Sequence, residues 1–216
     1  MMKGVIFDMD GVIIDSEPIH IKLEKELLIE SGGDYSKVKH EDFMGTTDAH
    51  MWGTFKKQFN IELSVEELIN IKRERFIESL DQIPLVDGVL ELMEALKNTG
   101  YKLGLASSNN QKAVEAVKNK FGLDKYIDVF MNGEAVTKGK PHPEIFLTTA
   151  EKLGVNPEDC VVIEDSRNGV LAAKAAGMKC IGFKNANSGD QDLSEADLIV
   201  SSYKKLTIED IQNLFK

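Results

Sequence analysis

The chain has 216 residues, of which 42% are hydrophobic and 29% charged, and its formal net charge is −10. That is enough apolar material for one large domain, or for a core domain with a smaller companion. A nucleic-acid binder shows a basic patch or stripe, so this charge balance argues against a nucleic-acid partner.

No apolar run approaches the ~20 residues of a bilayer span, so no membrane partner is expected. The first apolar run is cut by Asp8 and does not read as a signal peptide. Cys160 and Cys180 are the two cysteines, each in an apolar stretch. They read as reduced core thiols, and nothing clusters as a zinc site. The expected setting is the cytoplasm, and nothing in the sequence demands more than a monomer.

In chain order, residues 4–7 (GVIF) form a short apolar run stopped by carboxylates, the profile of a strand buried on both faces. Residues 17–80 hold no clear strand and read as helices over about 18–31, 48–59 and 64–80. Pro18 sits near the first turn of the first helix, and Ser64 with Glu67 has capping-box spacing at the start of the third. Trp52, Phe55 and Phe59 are expected in the core of this block. Lys72, Arg73 and Arg75 are expected on a solvated face.

After residue 80 the rhythm changes. Strand-like runs at 101–106, 160–163, 179–183 and 197–200 alternate with helical patterns. The helical stripes are Leu90/Met93/Ala95/Leu96, Ala113/Val114/Val117/Phe121, Ile145/Phe146/Thr149/Ala150/Leu153 and Val170/Ala173/Ala176. Each stops near a glycine, a common end signal. This alternation predicts an α/β fold: a doubly wound, mostly parallel sheet with a Rossmann-like core. The helical block is an inserted all-helical domain. Residues 1–15 and 83–216 form the core and 16–82 the insert, with linkers near Asp15–Pro18 and Gln82–Asp87. Entering after the first strand, the insert is expected above that strand's carboxyl end, where open α/β sheets bind ligands.

Four signals follow predicted strands: Asp8-Met9-Asp10-Gly11, Ser107 in GLASSNN, Lys140 in KGKPHPEIF, and Glu164-Asp165 in VVIEDSRNG. Carboxyl ends of strands in such a sheet share one edge, so these groups should converge there. A bare cluster of carboxylates is self-repelling. A hard divalent cation such as Mg2+ relieves it, and takes one or two carboxylates with phosphate oxygens and water. Lys140, Ser107 and the amides of the 107–110 loop could then hold a phosphate. One aspartate could attack phosphorus, and the other could protonate the leaving oxygen and then activate water.

The segments DMDGVIIDSEP, ASSN, GKPHPEIF and EDSRNG, in this order and spacing, resemble the four motifs of the haloacid dehalogenase superfamily. The resemblance is strongest to its β-phosphoglucomutase-like branch, which carries a helical cap after the first motif. It implies a magnesium-dependent phosphatase with Asp8 as nucleophile and Asp10 as acid/base. Magnesium would be held by Asp8, the Asp10 backbone carbonyl and Asp165, with Glu164 a ligand or a partner behind the ligands. Ser107 and Lys140, with Asn109, would hold the transferring phosphoryl group. His20, on the first cap helix, matches a histidine that couples substrate binding to the acid/base aspartate.

A phosphosugar mutase of this branch carries an arginine just after a cap glycine. Here FMGTTDAHMW has Asp48 where that arginine is expected, although Lys72 or Arg75 could substitute for it. Hydrolysis of a small phosphorylated metabolite, such as a sugar phosphate, is therefore expected over mutase chemistry. A phosphorylatable receiver module uses similar groups. It is about half this length, however, and spreads its acid pair and acceptor over different strands.

Overall fold

The computed structural model describes residues 3–39, 43 and 47–216. The Met44, Gly45 and Thr46 positions of FMGTTDAHMW, and His40, lie outside the described residues. The chain divides into two compact units, Met1–Asp15 with Leu85–Lys216, and Ser16–Pro84.

The first unit holds six parallel strands: β1 (Gly4–Phe7), β2 (Lys102–Ala106), β3 (Val129–Met131), β4 (Cys160–Glu164), β5 (Lys179–Phe183) and β6 (Leu198–Val200). Their order is β3-β2-β1-β4-β5-β6, which puts β1 near the middle, with register Phe7↔Leu105 and Phe7↔Ile163. The helices between them are α4 (Val89–Asn98), α5 (Gln111–Phe121), α6 (Glu144–Leu153) and α7 (Arg167–Ala175), and α8 (Ile208–Asn213) closes the chain. Ile6, Ala106, Val162 and Cys180 pack against Ile145, Phe146 and Ala150 of α6 and Val170 and Ala173 of α7 in one cluster. Alternate residues such as Val5, Leu103 and Val161 are also buried, so both sheet faces are covered. This is the doubly wound, Rossmann-like arrangement that the alternation predicts.

Two expectations needed correction here. β3 has only three residues, too short for a periodic signal, and it was missed at the sheet edge beside β2. The buried face of α4 is Val89, Leu92, Met93 and Leu96, not the stripe through Leu90 and Ala95, because the helix begins at Val89 directly after Gly88. Cys160 and Cys180 are buried and free, and burial pushes the Cys160 thiol up to about 12. No helix among the described residues is long and apolar enough to cross a membrane.

The second unit holds α1 (Glu17–Glu30), α2 (Asp48–Phe59) and α3 (Val65–Glu78). Pro18 lies in the first turn of α1, and Ser64 and Glu67 form the capping box of α3. Trp52 and Phe55 are buried with Leu27, Leu28 and Leu68, and Phe59 packs against the same cluster.

Lys72 corrects the expected solvated face. It is only 6% exposed, and its ammonium donates to Glu24 at 2.5 Å and to Asp48 at 2.7 Å. Burial alone would lower its pKa, but the two carboxylate charges outweigh burial and hold it above the ordinary lysine range. Burial alone would raise Asp48, and the Lys72 charge in turn holds it below its usual range. Arg75 does lie near the surface, forked on Glu30 at 3.0 and 2.6 Å.

Candidate active site

Asp8 follows β1, and its backbone N–H extends the parallel ladder by donating to the Ile163 carbonyl at 3.0 Å. The chain then folds tightly. Ile13 and Ile14 donate to the Met9 carbonyl, and Gly11 donates to that of Ile14. Met9 is fully buried, while Asp8 and Asp10 stay at the strand mouth. Gly11 has φ +70, and a Cβ there would collide with the Asp165 carboxylate, so only glycine lets the motif loop approach β4's end this closely.

Lys140, in the loop before α6, reaches the same place. Its ammonium donates to Asp8 Oδ1 at 2.5 Å, to Glu164 Oε1 at 2.7 Å and to the Ala106 carbonyl at 3.1 Å, and it lies 4.8 Å from the centre of the Phe146 ring. One side chain thereby ties together the ends of β1, β2 and β4. Burial would lower its pKa, but Asp8 and Glu164 hold it above the ordinary lysine range.

Glu164 is 1% exposed. Its other oxygen accepts from the Ser166 N–H and hydroxyl, each at 2.9 Å, and Gly169 presses on the carboxylate where a side chain would not fit. Both Glu164 oxygens are thus engaged by Lys140 and Ser166. Ser166 caps α7.

Ser107 is buried, and its hydroxyl accepts from the Asn109 N–H at 3.0 Å. The Asn109 side-chain amide donates to Asp10 Oδ2 at 2.6 Å. The Asn109 side chain, expected at the phosphate, thus contacts the acid/base candidate, and Asn110 caps α5.

The structure therefore brings Asp8, Asp10, Ser107, Asn109, Lys140, Glu164 and Asp165 to one sheet edge. His20 belongs to the helical unit, where its ring stacks flat on Phe76 at 4.8 Å. Sequence reasoning missed Asn185, Asn187 and Ser188, which follow β5 at the same edge. Asn185 donates to the Gly11 carbonyl, and Ser188 donates to Asp165 Oδ2 at 2.5 Å. It also missed Tyr203, whose hydroxyl donates to the Val12 carbonyl at 2.9 Å. The available signal was a run of short polar residues just after a predicted strand.

Charge balance at this edge is lopsided. Burial pushes Asp8 up to about 7; Lys140 opposes the shift, while Glu164 and Asp10 add to it. Asp165 is raised well above its ordinary range by burial, then by the Glu164 and Asp8 charges. Among the described residues, no three His, Cys, Asp or Glu side chains gather closely enough to cage a cation unaided. The donor set nevertheless fits Mg2+, which is held by one or two carboxylates together with carbonyl, water and substrate oxygens. All the donors are hard oxygens, and burial, followed by the neighbouring carboxylate charges, raises two of the carboxylates toward the neutral form.

Comparison with known proteins adds independent findings. Residues 5–183 match the family described as haloacid dehalogenase-like hydrolase. The chain is 36% identical over 203 residues to a phosphorylated carbohydrates phosphatase of Thermotoga maritima, covering 92% of this chain and 93% of that protein. It is 33% identical to the β-phosphoglucomutase of Bacillus subtilis, covering 96% and 93%. The crystal structure of CbbY from Rhodobacter sphaeroides in complex with phosphate superimposes with a TM-score of 0.86 at 26% identity, covering 98% of this chain and all of that one.

Proposed function

The chain belongs to the haloacid dehalogenase-like hydrolases, and from that premise we propose that it hydrolyses small phosphomonoesters, sugar phosphates foremost, with the phosphoryl group passing through Asp8. The observation that carries this reading is the Lys140 ammonium shared by Asp8, Glu164 and the Ala106 carbonyl. It fixes a carboxylate at the strand mouth with positive charge beside it, as a nucleophile facing a phosphate requires. The likeness to a phosphorylated carbohydrates phosphatase supports the substrate class.

The Asp8 carboxylate attacks phosphorus in line, the bond to the leaving oxygen breaks, and Asp10 gives that oxygen its proton. A water then attacks the phosphorus of the Asp8 phosphoryl group, Asp10 takes up the water's proton, and inorganic phosphate departs, restoring Asp8. Asn109, donating to Asp10 Oδ2, keeps that carboxyl oriented for both transfers. Lys140 and the Ser107 hydroxyl are the side chains that would hold the transferring group. Asp8, Asp165 and the Asp10 carbonyl are the residues that would hold Mg2+, which when bound screens negative charge between nucleophile and phosphate.

Mutase chemistry is the second reading, favoured by the likeness to a β-phosphoglucomutase. It needs cap cations free to hold a second phosphate. The two candidates are already committed, Lys72 to Glu24 and Asp48, and Arg75 to Glu30. Hydrolysis therefore stands first.

Phosphate release screened over sugar phosphates, nucleotides and small acid phosphates tests the proposal. Multiple turnover of at least one sugar phosphate in Mg2+, abolished by chelator, is the expected result. Turnover undiminished by chelator, or none across the panel, would overturn it. β-Glucose 1-phosphate with a bisphosphate primer forms the mutase arm: efficient conversion to glucose 6-phosphate would put the second reading first.

A further inference from the structure

Residues 184–190, between β5 and β6, fold back onto the loop that follows β1. The segment holds its own shape: the Asn187 N–H donates to Asn185 Oδ1 at 2.8 Å and the Ser188 N–H to the Asn185 carbonyl at 3.3 Å. From this frame three side chains reach out. The Asn185 amide donates to the Gly11 carbonyl at 2.9 Å and to Asp15 Oδ1 at 3.3 Å. That of Asn187 donates to Asp15 Oδ2 at 2.7 Å. The Ser188 hydroxyl donates to Asp165 Oδ2 at 2.5 Å. Asn185 and Ser188 are both buried, at 9% and 8% exposure.

A carboxylate that binds a cation through one oxygen is commonly held by a hydrogen bond to the other, and such partners strongly affect metal affinity. Around Asp165 the surroundings are crowded. Gly11 has no side chain, and a Cβ there would strike both Asp165 and the Ser188 hydroxyl. The Asp165 carboxylate therefore has little room to rotate, and Ser188 holds the oxygen that faces Gly11.

We propose that Ser188 is a positioning residue for Asp165: its hydroxyl engages Oδ2, fixes the carboxylate plane and leaves Oδ1 for the cation. Asn185 and Asn187 carry Ser188 to that place by anchoring the segment to Gly11 and Asp15. The proposal rests on the assignment of Asp165 as a magnesium ligand above, and goes beyond it in giving this distant loop a part in metal affinity.

Calorimetric titration of Mg2+ into the full-length protein without substrate tests it, comparing the parent, Ser188→Ala and Asp165→Asn, with the metal-free melting temperature of each. Ser188→Ala should bind magnesium about tenfold or more weakly than the parent, while its metal-free protein still melts cooperatively. Unchanged magnesium affinity in Ser188→Ala, with or without a lower melting temperature, would assign the hydroxyl to stability alone and overturn the inference. If Asp165→Asn loses magnesium while Ser188→Ala keeps it, only the Ser188 role falls. If Asp165→Asn itself binds magnesium like the parent, the metal assignment falls and the Ser188 role with it.

Discussion

Asp8 and Asp10 lie two residues apart yet meet different surroundings. Asp8 is buried against Lys140, whereas Asp10 is half-buried and holds the Asn109 amide. Neighbouring carboxyl groups placed in unlike environments can divide nucleophilic and acid/base work between them. Asp10→Asn should lower turnover by about 10²–10⁴-fold, the usual contribution of a positioned acid/base, while calorimetric magnesium binding persists, because the ligand proposed there is the main-chain carbonyl. Loss of magnesium binding in that variant would show that the Asp10 side chain is itself the ligand.

At this scale the sequence was informative wherever chemistry falls at a strand end. Asp8, Ser107, Lys140 and Asp165 each follow a readable apolar run or sit in a distinctive context, and topology gathers them at one edge. Asn109 reaches the edge as expected, but its contact with Asp10 was not foreseen, since that pairing joins residues 99 positions apart. Ser188 was missed because serines near loops are common, and its partner lies 23 positions away.

At the scale of elements, the helical block shows the same division. Caps and apolar stripes depend on neighbours three or four positions apart, so α2 was legible with its boundaries and α3, expected over 64–80, with its start near Ser64 and its end two residues too late. The Ser64–Glu67 capping box is local, and Ser64→Ala should cost about 1 kcal/mol of stability in urea unfolding. Lys72 was misread because its helix, IKRER, is rich in charge and looks solvated. Its partners Glu24 and Asp48 come from α1 and α2, 48 and 24 positions away. Removing one member of a buried ion pair leaves an uncompensated charge. Lys72→Ala should therefore destabilise the protein by roughly 3–5 kcal/mol, whereas an exposed lysine would change stability by only about 0.5 kcal/mol; urea unfolding separates the two. β3 marks the opposite limit, since three residues carry no period to detect.

Across the whole molecule, the acidic edge should leave a signature in stability against pH. A carboxyl group whose folded pKa is raised binds its proton more tightly folded than unfolded. Stability then falls as pH rises between the unfolded and folded values. For Asp8 that window runs from 3.8 to about 7, and Asp165 is raised in the same direction. Carboxylates lowered by their partners, such as Asp48 and Asp128, contribute stability that is lost only as pH falls below the ordinary carboxylate range. In chelator, the melting temperature should therefore decline from about pH 4.5 toward pH 7, and Asp8→Asn should flatten that decline. A melting temperature rising steadily over this window would show that burial at this edge does not raise the Asp8 and Asp165 carboxyls.

Phosphate release by Asp8→Asn measures directly whether Asp8 carries the phosphoryl group. With the best sugar phosphate from the screen and saturating Mg2+, turnover should drop by at least about 10⁴-fold, as loss of a covalent nucleophile does, while the melting profile remains cooperative. Turnover within about tenfold of the parent (roughly 1.4 kcal/mol in the barrier) would contradict the account, because phosphate would then be reaching water by a route that does not pass through Asp8.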